Sequence, residues 1–234
     1  MSVALHVQWN QEDVRRLLLK LAPHEWRFAA ARALTETAYA VRDAEQRGMV
    51  LAFDRPKPYT VNSLFVQRAD KSTLEAVIDF KSGGSRPAWK WLEPEILGGR
   101  RGQLGFEKRM GRFLTSGKAL VPASGVALDQ FGNVPRGLYG RIVRALDAQQ
   151  SGFALRKGRG RGRAPMFFYG DPGSRGRGIW QKLNNGGVRP MFLEAKQPSY
   201  PKRFDWYGIA ERTADRTLTT SFRTVIERHW NGGR

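Results

Sequence analysis

The 234-residue chain has no cysteine, which excludes a disulfide scaffold, a thiolate zinc site and a cysteine nucleophile. Histidine is scarce: His6, His24 and His229 are the three present, and no two stand at metal-ligand spacing. No apolar run approaches the ~20 residues needed to span a bilayer. The first nine residues lack the basic start and apolar stretch of a secretory signal, so no membrane association is expected. Acid is the other shortage. Asp and Glu number 21 against 40 Lys and Arg, a formal net charge of +19.

Signals for chemistry are equally thin. Ser124 lacks the glycine two residues before it that a nucleophile elbow requires. Gly158, Gly160 and Gly162 alternate with arginine and miss the Lys-Ser/Thr pair of a phosphate loop. Glu93 and Glu95 bracket a proline, and Asp205 stands near Glu211, but neither pairing singles out acid–base work. The expectation is a protein that is not an enzyme and carries no metal or cofactor.

What is abundant is positive charge and apolar residues, the latter 41% of the chain with 11% aromatics, enough for a packed core. A charge of +19 repels itself, and a polyanion or an acidic protein face relieves that cost.

The pattern of elements predicts a single α+β domain over 1–234. A short helix is expected over 10–21, capped by Asn10 with Glu12 and Asp13 in its first turn. A longer one is expected over 23–47, where Trp26, Ala30, Ala33, Leu34, Thr37, Val41 and Ala44 recur at three- and four-residue steps. Glu45 falls off that stripe, and Gly48 reads as its C-terminal stop. The segment 55–58 is a stiff connector with two prolines, followed by a short helical turn from Thr60. Residues 65–68 and 74–80 read as a β-hairpin closed by Asp70-Lys71-Ser72.

Helical islands follow at 89–97, interrupted by Pro94, and at 103–114. Residues 122–135 read as a loop and 138–150 as a helix. Strands at 165–169, 178–183 and 188–193 are separated by turns at Asp171-Pro172-Gly173 and Asn184-Asn185-Gly186. A long helix over 204–230 closes the chain, with Ala210, Ala214, Leu218, Phe222, Val225, Ile226 and His229 on one face. An antiparallel sheet flanked by long N- and C-terminal helices is the expected architecture.

The strongest local signal is the low-complexity loop at 156–164, containing Arg156, Lys157, Arg159, Arg161 and Arg163 separated by glycine. Arginine offers a planar fork of donors that suits phosphate, and glycine lets a backbone lie close. Such a segment binds nucleic acid through charge with little sequence preference. Arg175 and Arg177 are expected to extend the patch. Trp89, Trp91, Trp180, Phe204 and Trp206 are the candidate interface aromatics.

The order of these elements carries a resemblance. A small-residue helix precedes Arg55-Pro56-Lys57-Pro58-Tyr59-Thr60, then Leu64-Phe65-Val66, a turn and Leu74-Glu75-Ala76-Val77-Ile78. Gly178-Ile179-Trp180-Gln181-Lys182, Tyr200-Pro201-Lys202-Arg203-Phe204-Asp205 and a closing helix come later. This resembles the minor tail protein Z, or tail-completion, family of long-tailed bacteriophages, over about Trp26 to Trp230. The resemblance implies a structural virion protein at the head-proximal end of the tail, made in the host cytoplasm. It implies a homo-oligomeric ring of six copies, other tail and neck proteins as partners, and unspecific contact with double-stranded DNA. It brings no catalytic residues. The competing expectation is a stand-alone, sequence-unspecific nucleic-acid-binding protein acting through the Arg-Gly segment.

Overall fold

The computed structural model describes residues 5–7, 26–81, 87–150 and 166–231. The helix expected over 10–21, Arg86, and the loop with Arg156, Lys157, Arg159, Arg161 and Arg163 lie outside the described residues. The fold is α+β, and the chain divides into two compact units. Residues 1–99 with 201–234 form the first and residues 100–200 the second. No interposed linker marks that division in the sequence.

The first unit is built on two long helices, α1 (Trp26–Ala52) and, at the end of the chain, α6 (Trp206–Asn231). Between them come a single helical turn α2 (Pro58–Val61) and α3 (Trp89–Leu97). Strands β1 (Leu5–Val7), β2 (Leu64–Gln67) and β3 (Ala76–Phe80) form an antiparallel sheet with β3 in the centre. Phe65 pairs with Asp79 and Val66 with Ile78, so Ala76, Ile78 and Phe80 share the buried face. Period-2 alternation in the sequence dictates that result.

The hairpin turn works as its chemistry requires. Asp70 Oδ1 accepts from the backbone N–H groups of Ser72 and Thr73 at 2.6 and 2.8 Å. The Ser72 hydroxyl and these two amides hold its carboxyl down to about 2.

Helix α1 runs through Gly48 to Ala52 instead of ending there. A Cβ on Gly48 would stand 2.6 Å from Ile209 Cδ1 and 3.1 Å from Phe204. The glycine is therefore a point of close approach between α1 and the start of α6, and its role is packing instead of termination. Helix α3 likewise continues through Pro94, which is buried in it. The carbonyl that proline leaves without a partner belongs to Lys90, an exposed residue that water can reach.

Small residues on α1 (Ala30, Ala33, Ala38) let the backbone approach Ala210, Leu218, Phe222 and Val225 of α6. Trp206 stacks on Phe80 at 5.0 Å between ring centroids and meets Phe204 edge-on at 5.9 Å.

The second unit holds α4 (Gly105–Arg109), α5 (Arg136–Gln150) and an antiparallel four-stranded sheet. Its strands are β5 (Lys118–Pro122), β6 (Met166–Gly170), β7 (Gly178–Lys182) and β8 (Val188–Lys196), in the order β5-β8-β7-β6. Short strands β4 (Gly99–Arg100) and β9 (Ser199–Tyr200) form a separate two-stranded ribbon. Strand β5 has no counterpart in the expected pattern. Its run Lys-Ala-Leu-Val-Pro is too short to declare itself, and it becomes a strand by pairing with β8, Leu120 opposite Glu194. The helix expected over 103–114 shrinks to five residues followed by turns.

Leu138, Ile142, Ala145 and Leu146 of α5 pack on Phe167, Ile179, Phe192 and Leu120 of the sheet, with Phe106 and Met110 closing the core. On the opposite face of α5, Arg136, Gly137, Gly140, Arg141 and Arg144 are exposed.

Candidate polyanion interface

The second unit concentrates the charge. Residues 100–200 hold 19 Lys and Arg against 5 Asp and Glu, a net +14 of the chain's +19. The remaining residues carry +5.

Each of the five carboxylates is engaged inside the unit. Glu107 is 1% exposed and takes two hydrogen bonds from the Arg101 guanidinium and one each from the Leu104 and Leu120 amides. Burial works to raise its carboxyl, but those donors outweigh it and hold it below the ordinary range. The same pairing raises Arg101 further. Glu194 accepts from the Thr115 amide and hydroxyl at 2.8 Å and from the Tyr169 hydroxyl, with Arg177 at 4.0 Å. Its carboxyl is lowered although burial opposes this, while burial and Glu194 push the Tyr169 phenol up to about 12. Asp147 pairs with Arg112. Asp129 receives the Phe131 and Asn133 amides, and Asp171 the Gly176 amide. Glu107, Asp147 and Glu194 each face a guanidinium, while exposed Asp171 is held by a neutral amide and keeps its charge among the unit's 19 cations.

Helix α5 presents an open basic face. Arg136, Arg141 and Arg144 are exposed and, among the described residues, have no ion-pair partner. At about 100° per residue they fall within an arc of about 140°, with Gly137 and Gly140 between them. A Cβ at either glycine would meet nothing within 4 Å. The helical backbone does not need glycine there, and Gly140 costs about 1 kcal/mol relative to alanine.

The structure sorts the residues expected from the sequence. Arg175 and Arg177 are exposed, at the turn joining β6 to β7. The Arg-Gly loop enters β6 at its other end, where Met166 pairs with Lys182. Four strand steps, about 14 Å, separate the two ends, so Arg175 and Arg177 do not adjoin the loop's point of entry. The Arg177 guanidinium lies 5.6 Å from the Tyr169 ring.

The candidate interface aromatics need correction. Trp206, Phe204 and Trp180 are 0, 1 and 2% exposed; the first two fill the first unit's core, and Trp180 donates its indole N–H to the Gly176 carbonyl. Burying them inside one chain removes them from any partner's reach. Trp89 is half-buried against the first unit's core. Trp91 alone of the five is exposed, with its ring 6.0 Å from that of exposed Tyr59.

Sequence reasoning missed Glu45. It lies on the buried side of α1, fully inaccessible, with neither carboxylate oxygen hydrogen-bonded. Burial, reinforced by Asp205 and opposed by Arg212, pushes it up to about 9. Asp205 itself is held low by its hydrogen bond from Arg212. Glu45 follows Val41 by four residues and so shares the buried face of Leu34, Ala38, Val41 and Met49, which corrects the expectation that it falls off the apolar stripe.

Among the described residues, no group of three or more metal-capable side chains converges, and no helix is long and apolar enough to cross a membrane. No family of known proteins, no curated protein and no solved structure matches the chain.

Proposed function

We propose that the chain is a structural assembly protein of a long-tailed bacteriophage. It completes the head-proximal end of the tail, makes it competent to join the head, and resides in the virion. It works as a ring of its own copies among tail and neck proteins, making and breaking no covalent bond. The observation that carries this reading is the segregation of charge: a net +14 in residues 100–200 with every carboxylate there internally engaged. Six copies would together carry six times +19, a ring that needs DNA or acidic neighbours to persist. The order of elements read in the sequence supports it. The test is electron microscopy of tails assembled with and without the protein: head-less, unjoinable tails are expected without it, and normal joining in its absence overturns the reading.

The Arg-Gly segment favours a second reading, a sequence-unspecific nucleic-acid-binding protein. Replacing Arg156, Arg159, Arg161 and Arg163 by serine should then flatten the salt dependence of binding. An unchanged dependence removes the segment as the main point of attachment.

A further inference from the structure

We infer that the outer face of α5 is a docking surface for the phosphate backbone of duplex DNA. The proposal rests on the reading that the basic second unit faces nucleic acid, and it names the surface that does so.

Four observations converge on that occupant. The three cations of the face, Arg136, Arg141 and Arg144, are all arginine, exposed, and unpaired among the described residues; the guanidinium fork engages phosphate oxygens two at a time. Arg136 and Arg144 lie eight residues apart, about 12 Å along the axis, close to the width of the major groove. Asp147, the one acid on this side, is neutralised by Arg112. Gly137 and Gly140 leave a flat strip of helix backbone with open space above it, so a continuous ridge such as a sugar–phosphate backbone can come closer than side chains would allow.

The same face argues against the alternatives. A protein interface has an apolar or aromatic centre, and this one offers arginine and glycine. Binding of single strands relies on aromatic stacking platforms. Among the described residues of the second unit the exposed large apolar side chains are Leu104 and Leu128, neither aromatic. Between Arg136 and Arg144 the face carries no Asn or Gln to read adenine, and its arginines border an open backbone strip, so the docking is to backbone and independent of sequence.

The test is fluorescence anisotropy of the full chain with a random duplex of about 30 base pairs, titrated over about 50–200 mM salt. The variant Arg136→Gln/Arg141→Gln/Arg144→Gln should bind at least about tenfold more weakly. Its log–log salt slope should be shallower by up to about 2.7, or about 0.9 for each phosphate that is no longer neutralised. The variant Gly137→Ala/Gly140→Ala should melt at a higher temperature yet bind the duplex several-fold more weakly. A helix in which glycine is merely tolerated would gain stability with no change in binding, and that result overturns the proposal.

An unchanged slope in the triple arginine variant, with a reduced one when Arg156, Arg159, Arg161 and Arg163 become serine, overturns the α5 surface and leaves the nucleic-acid reading standing. No duplex binding by the unaltered chain at about 50 mM salt overturns both. Preferential binding of polyglutamate over duplex would reassign the face to an acidic protein and overturn the proposal.

Discussion

Arg101 and Glu107 form a two-bonded ion pair inside the second unit, Nη1 to Oε2 at 2.8 Å and Nη2 to Oε1 at 2.7 Å. Glu107 also holds the start of α4 through the Leu104 amide and the edge strand β5 through the Leu120 amide. One carboxylate therefore ties a loop, a helix and a strand together. Glu107→Ala should cost about 3–5 kcal/mol, because it strands a partly buried guanidinium and two amides. Urea denaturation measures this. Replacing Arg101 and Glu107 together by Met and Leu should cost clearly less; equal losses would mean the pair's charge is not what matters.

Glu45 gives the first unit a pH dependence opposite to that of an ordinary paired carboxylate. Its folded pKa is about 9 against an ordinary 4.5. The folded state therefore holds a proton that the unfolded chain releases between those values. Stability is full below about pH 4.5 and falls as pH rises towards 9, by up to about 1.4 kcal/mol per pH unit. The charged groups facing it are Asp205 and Arg212. Thermal melts of Glu45→Gln should show a flatter profile over that window and a higher melting temperature than the unaltered chain at pH 8. A variant with the same slope refutes the assignment.

The aromatic residues divide by burial, and so should their substitutions. Trp206→Ala removes a stacked ring from the core and should cost about 3–5 kcal/mol. Trp91→Ala, at an exposed ring pair with Tyr59, should change stability by under about 1 kcal/mol. If copies of the chain meet through aromatic rings, sedimentation of Trp91→Ala should show weakened self-association, since Trp91 is the one exposed ring of the five.

Glycines at close approaches should respond unlike those on α5. A Cβ on Gly178 would lie 2.1 Å from the Phe192 carbonyl oxygen and 2.8 Å from Leu193 Cα, just before β7 and β8 shift register between Ile179 and Trp180. Backbone cannot swing aside, so Gly178→Ala should cost roughly 1–3 kcal/mol or more. Gly48→Ala meets the flexible tip of Ile209 first and should cost less. Denaturant midpoints of the two variants decide the order.

Much of the framework is legible in the sequence because it rests on local rules. The stripe Ala210, Leu218, Phe222, Val225 and Ile226 is buried as its period requires. The turn at Asn184-Asn185-Gly186 closes by the Leu183 amide donating to the Gly187 carbonyl, with Gly186 at φ 83°. The candidate site is less legible. Rings suited to meeting partners, Trp180, Phe204 and Trp206, are core because residue type alone does not say which apolar group finds shelter within its own chain. The α5 face is hidden in the sequence because its glycines look like weak helix formers until the space above them is known.

The amino-acid order fixes the excess of positive charge, the absence of thiol chemistry, the two long amphipathic helices and the alternation of the strands, all consequences of composition and near-neighbour spacing. Tertiary structure alone decided that residues 100–200, where the charge is concentrated, form one unit with their carboxylates hydrogen-bonded internally, that Gly48 packs instead of capping, and that Glu45 is buried. Those outcomes depend on which distant segments meet, and desolvation and steric fit between them are not encoded in any short stretch of sequence.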